Sequence, residues 1–188
     1  MVGGHVVDST EYTTYSHIIK YVFMILMLLI AVKNRLGIMA GDIGNLLFTS
    51  PCVEMFWSCC GVDFVPRCGA VVVLKRDLYR LNTALNSFHK YFGDFLRDPG
   101  FRPYREDQDL WIRKSDNDEG YHYIATHVGD VIISANNPSK YTHNIDMHFK
   151  ARDINTSPKY YLGNELVRVG NTIHVSSNKC VNEIMRKY

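Results

Sequence analysis

Charge of one sign is what this chain lacks most plainly. Its 21 Lys and Arg stand against 19 Asp and Glu, for a net charge of +2 over 188 residues. No overall field draws it to nucleic acid, so any basic surface has to be a local cluster. Paired cysteines are missing too. Cys52, Cys59, Cys60, Cys68 and Cys180 are an odd set with no CxxC spacing, which tells against a paired-knuckle zinc site and reads as reduced, partly buried thiols of an intracellular protein. The sequon Asn155-Thr156-Ser157 has no other sign of secretion beside it.

A hydrophobic run of bilayer length is the third absence. Tyr21–Val32 is apolar throughout, but Lys20 and Lys33 bracket it, and a membrane span needs about 20 such residues. A basic leader and a small-residue cleavage site are also absent, so it is no signal peptide. The run reads as a helix buried on most sides, and no membrane is expected as a partner. There are no repeats and no low-complexity linker.

What remains is ordinary globular material, 46% hydrophobic and 21% charged, with 12 tyrosines suited to strands and packed faces. The length fits one domain, or one substantial piece of a larger protein. Residues 1–14 read as a poorly structured leader. A helix from near Thr14 to Lys33 stops before Gly37. Ile38–Ile43 follows as a strand ending in Asp42, then strands at Val53–Trp57 and Ala70–Lys75, the latter wholly apolar until its end and so expected to be central.

From Asp77, Leu78, Leu81, Leu85, Phe88, Phe92 and Phe95 recur at helical spacing up to Asp98-Pro99-Gly100. Leu110–Ile112 and Tyr121–Thr126 read as strands joined by a charged loop, Arg113–Glu119. Val131–Ile133 completes a hairpin with Gly129-Asp130 at its tip. A helix over Pro138–Phe149, strands over Tyr160–Val167 and Thr172–Ser176, and a closing helix over Asn178–Lys187 complete the chain. The order predicts an α+β fold on an antiparallel sheet.

Two carboxylates stand out, Asp42 at a strand end and Asp130 in the hairpin. Neighbouring strands would project both from one edge, as nucleotidyl transfer with two divalent ions about 4 Å apart requires. An ordinary Gly-Asp turn and a solvated strand-end acid have the same sequence. His143, Asp146 and His148 read as a polar helix face in preference to a metal site. Lys75, Arg76 and Arg80 are a basic cluster that suits phosphate or a solvated edge equally.

The local motifs favour the first reading of the acids. Asp42-Ile43-Gly44-Asn45-Leu46-Leu47-Phe48 resembles the first catalytic motif of Ty1/copia-type retrotransposon reverse transcriptases, whose strand carries a metal-binding aspartate. Val53–Trp57 resembles that family's strand before a Pro-Pro-Gly-Phe turn, and Leu74–Asn82 its Leu-Tyr-Gly-Leu-Lys segment. Gly100-Phe101 and Asp107–Lys114 resemble its Gly-Phe and Asp-Pro-x-Leu-Tyr pattern. His127-Val128-Gly129-Asp130 sits where the family has Tyr-Val-Asp-Asp, and Tyr160–Leu166 where it has Tyr-Phe-Leu-Gly-x-x-Ile. The ordered set covers nearly everything from Tyr15 to Tyr188.

The resemblance implies a polymerase palm, a ferredoxin-like antiparallel sheet packed on helices, over 15–188. It implies Mg2+ held by Asp42 and Asp130, an RNA or DNA template-primer and dNTPs as partners, and a cytoplasmic location with a nuclear stage. Leu47, Phe48, Arg80 and His127 fall near nucleotide or template. The departures bear on activity. Gly129 stands where the family has its first hairpin aspartate. Leu47 takes the place of the aromatic that screens out ribonucleotides, and Phe48 falls one position late. Arg80, Asn82, Thr83, Leu85 and Asn86 replace the family's Gly, Lys, Gln, Pro and Arg. The family's fingers and ribonuclease H are expected to lie outside the chain. These features predict a fragment with impaired or lost RNA-directed DNA polymerase activity. The alternative is a non-catalytic domain that keeps the fold and binds nucleic acid or protein.

Overall fold

The computed structural model describes residues 18–44, 46–52, 56–77, 84–116, 120–155 and 158–187. Its contacts divide the chain into two compact units, one of residues 1–16 and 45–95, the other of residues 17–44 and 96–188.

The second unit carries a six-stranded antiparallel sheet in the order β4-β5-β6-β7-β1-β8. Its strands are β1 (Gly37–Ile43), β4 (Arg102–Tyr104), β5 (Asp107–Lys114), β6 (Tyr121–His127), β7 (Asp130–Ala135) and β8 (Ala151–Asn155). Alternation of side chains along a strand sorts the two faces. Met39, Gly41 and Ile43 of β1 point to the face on which helix α4 (Pro138–Phe149) packs, where Thr142 and Ile145 meet Val131 and Ile133. Ile38 and Ala40 point the other way, into a core with Met24, Met27, Leu28 and Ala31 of helix α1 (Tyr21–Lys33) and with Ala125 and Ile132. Tyr161 and Leu166 join this core from a small sheet of β9 (Tyr160–Tyr161), β10 (Asn164–Val169) and β11 (Thr172–Ser176), followed by helix α5 (Asn178–Lys187). The α+β expectation is met.

Several expected boundaries shift for local reasons. Helix α1 begins at Tyr21, because Lys20 is extended (φ −70°, ψ 135°). Its N–H is held by Asp107 Oδ2 at 2.8 Å, while Ile19 N–H reaches Thr126 O at 3.3 Å. The left-handed residue after the helix is Arg35 (φ 57°). Gly37 instead starts β1, where an added Cβ would lie 3.0 Å from the Pro138 ring. Nor is α1 buried on most sides, since Val22, Leu26 and Leu29 are exposed. Tyr160–Val167 is not one strand. Leu162 (φ 49°) and Gly163 (φ 73°) form a two-residue turn of the primed kind and split it into β9 and β10. Strands β4 and β8 carried no alternating signal strong enough to announce them.

The first unit contains helix α2 (Leu46–Thr49) and a two-stranded sheet of β2 (Trp57–Cys59) and β3 (Val71–Val73). The expected central strand Ala70–Lys75 is therefore a short hairpin arm whose Val71 is exposed. Its apolar run has only β2 as a strand neighbour among the described residues. The Val53–Met55 part of the earlier expected strand lies outside the described residues. The long helix is described from Ala84 to Arg97 as α3, with Phe88 and Phe92 stacked at 5.7 Å.

A buried polar network ties α4 to the sheet. Arg113 Nη1 donates to Tyr141 Oη at 2.6 Å, and Tyr141 Oη lies 2.8 Å from His122 Nδ1. The hydroxyl can accept from the guanidinium and at the same time donate to a neutral His122 Nδ1. Burial, then the Arg113 charge, holds His122 below the ordinary histidine range, with Lys140 adding to this and Asp116 opposing it. A depressed histidine contributes stability that is complete above its unfolded pKa of about 6.5 and lost as pH falls towards its folded value. Urea midpoints should therefore drop as pH is lowered from 7 to 5. His122→Phe should remove that component of the slope.

Candidate functional site

Asp42 and Asp130 are register partners across β1 and β7. The bond from Ile43 N–H to Gly129 O, 2.9 Å, flanks the pair, which makes it a non-hydrogen-bonded site, the closer of the two antiparallel pair types. Their Cβ atoms at such a site are about 4.5–5.5 Å apart on one face of the sheet. The same row continues sideways. His127 pairs with Asp130, and Arg152 pairs with Asp42. His127, Asp130, Asp42 and Arg152 thus lie in line across four strands. Asp42 shares a face with Ile38 and Ala40, at the point where the apolar cover of that face ends.

The turn differs from expectation. Strand β6 ends at His127 and β7 begins at Asp130, so the loop is Val128-Gly129 alone and Asp130 is a strand residue. Val128 sits in the left-handed region (φ 56°), unusual for a β-branched side chain.

Both acids line a cleft of about 520 Å³ with Gly41, Asp153, Lys159 and the β9–β10 turn. Asp130 is half-buried. Burial, then the charge of Asp42, raises its carboxyl above the ordinary range, with His127 opposing. Tyr161 is buried in the cleft's floor. Its hydroxyl is 3.4 Å from Ala125 O, and burial followed by the charges of Asp130 and Asp109 pushes its pKa upward.

Asp153, Lys159 and Tyr161 were not singled out from sequence. Asp153 is one of 19 acids, and only a register shift in β8 together with its own left-handed backbone (φ 52°) sets it beside the cleft. Leu47 and Phe48 belong to α2 in the other unit. Arg80 lies outside the described residues. Arg76 is engaged, its Nη1 donating to Thr49 O at 2.5 Å. His143, Asp146 and His148 lie on α4.

Among the described residues no group of three or more His, Cys, Asp or Glu side chains is placed to hold a metal ion. Two facing carboxylates are hard oxygen donors of the kind a divalent cation takes. Among the described residues no helix is long and apolar enough to cross a membrane.

A family model described as reverse transcriptase (RNA-dependent DNA polymerase) matches residues 3–188. The chain belongs to that reverse transcriptase family, and its α+β fold is compatible with a polymerase palm. No curated protein matches the chain, and no solved structure matches it.

Like charges directly opposite one another on a sheet destabilise it. Asp130→Asn should raise the thermal midpoint at pH 7 and low salt by about 1–3 °C, measured by circular dichroism in chelator. A lower midpoint would mean that the charge itself is stabilising. Val128→Asn, which accepts φ > 0 more readily, should stabilise by about 1 kcal/mol in urea unfolding.

Proposed function

We propose that this chain is the palm portion of a Ty1/copia-type retrotransposon reverse transcriptase, and that it has lost most or all of its RNA-directed DNA polymerase activity. The observation that carries the site assignment is the register pairing of Asp42 with Asp130. Two acids forced together at the half-buried end of two paired strands are what a divalent cation would relieve. In this reading Asp42 and Asp130 hold one Mg2+, which when bound supplies Lewis-acid stabilisation of charge on a phosphoryl oxygen. His127 and Lys159 are the cationic or polar neighbours of the cleft that would face nucleic acid or dNTP.

The loss follows from the same geometry. Gly129 brings no carboxylate to the turn, so the two-ion clamp of nucleotidyl transfer is short of donors. Such clamps supply several kcal/mol at the transition state. Losing one costs several powers of ten in rate, since each 1.4 kcal/mol is about ten-fold. The family's location, cytoplasmic with a nuclear stage, goes with this reading.

Primer extension on an RNA template with Mg2+ and dNTPs tests it, using the chain as it stands. The expected result is no extension above background. Robust Mg2+-dependent synthesis would overturn the loss of activity. Gly129→Asp alone should restore nothing measurable, because Leu47 and Arg80 also depart from the family's nucleotide-contacting residues. Millimolar Mg2+ should still raise the thermal midpoint of the parent chain but not of Asp42→Asn.

A further inference from the structure

Three of the five cysteines fall within one hairpin of the first unit. Cys59 ends β2, Cys60 follows it, and Cys68 stands just before β3. Gly69 has φ +82°. Its N–H donates to Cys60 O at 2.8 Å, and Cys60 N–H donates to Ala70 O at 2.9 Å. That pattern is a G1 bulge, with Gly69 and Ala70 together opposing Cys60. Ala70 N–H also reaches Arg67 O at 3.0 Å, closing a tight turn that holds Cys68 at its corner.

The bulge fixes a distance. The Cα of Cys60 is one covalent leg from its own carbonyl oxygen, and the Cα of Cys68 is one leg from the amide nitrogen of Gly69. Joined by a single hydrogen bond, the two Cα atoms are on the order of 6 Å apart, inside the window for a disulfide. Cys59 is otherwise committed, its Sγ donating to Gly69 O at 3.2 Å. Cys60 is half-buried and Cys68 exposed, both as free thiols. A Cβ added to Gly69 would meet nothing within 4 Å, so the bulge is open to a small reagent.

We propose that Cys60 and Cys68 are a dithiol pair that closes into an intramolecular disulfide by exchange with a low-molecular-weight disulfide of the glutathione type. The exposed Cys68 thiolate attacks one sulfur of glutathione disulfide, forming a mixed disulfide and releasing one glutathione thiolate. The Cys60 thiolate then attacks the Cys68 sulfur and displaces the second. Two protein thiols are oxidised by two electrons, glutathione disulfide is reduced to two glutathione molecules, and the two protons pass to them. The bond closes the loop Gly61–Arg67 and is reopened by excess glutathione. Nothing in it depends on the acidic cleft.

The test equilibrates the full chain in glutathione redox buffer, blocks free thiols and digests with trypsin without reduction. Cleavage after Arg67 separates the partners, so the linkage joins the peptide Leu36–Arg67 to the peptide Cys68–Lys75. The expected product is this pair, two hydrogens lighter than the separate peptides. It should survive Cys59→Ser, vanish in Cys60→Ser, and form at an about ten-fold lower ratio of glutathione disulfide to glutathione than in urea. Cys68 found only free or glutathionylated would overturn the proposal. So would a linkage lost in Cys59→Ser but kept in Cys60→Ser, or equal ratios in native buffer and urea.

Discussion

The register of β1 against β7 is the constraint on which the second unit rests. Side chains alternate with a period of two, so a slip by one residue would turn Ile38 and Ala40 out of the core and Asp42 onto the α4 face. The apolar residues of both strands exclude that slip, because Ile132 and Ile133 are each fully buried, one on either face of the sheet. Burial of apolar side chains at about 25 cal/mol per Å² thereby sets where the acids stand. Asp42 faces Asp130 because hydrophobic residues several positions away have only one good partner.

That arrangement sets two opposing demands on one row of residues. The core needs β1 and β7 paired to their ends, and the pairing brings two carboxylates together where solvent is partly excluded. His127 and Arg152 flank the pair along the same row, so across the four strands the row reads base, acid, acid, base. Only the middle contact is repulsive. Basic groups placed there are partial compensation at most, because exposed or half-exposed charges so placed are worth little each. Sites of this kind retain strain that the remainder of the fold has to offset.

Elements with strong periodicity were legible in the sequence. Helix α4 occupies the expected Pro138–Phe149, and α5 the expected Asn178–Lys187. Asp42 and Asp130 were identifiable as strand-end and hairpin acids, and their pairing follows from β1 and β7 being neighbours. Less legible was anything decided by backbone conformation away from glycine. Arg35, Val128, Lys150, Asp153 and Leu162 all take positive φ, and none is a residue type that announces it except Asp. Two of these positions moved a boundary or re-aimed a side chain. The Leu162 turn split an apparent strand in two, and the Asp153 irregularity brought an acid to the cleft that spacing alone could not distinguish. The apolar Val71–Val73 run misled for the opposite reason. Continuous hydrophobicity records burial in general, not the number of strand neighbours.

The two ends of the six-stranded sheet share a property that bears on self-association. An open antiparallel sheet exposes a row of unpaired amide and carbonyl groups at each edge, a template onto which another chain can add. At one edge β4 is three residues long, carries Pro103 with no N–H to offer, and shifts register beside it. At the other, β8 is broken by its own register shift and by the left-handed Asp153, with Arg152 next to it. Neither edge is a straight ladder. The irregularity that turns Asp153 towards the cleft therefore also blunts the sheet against edge-to-edge polymerisation, so that straightening β8 would expose a sticky strand as well as move an acid.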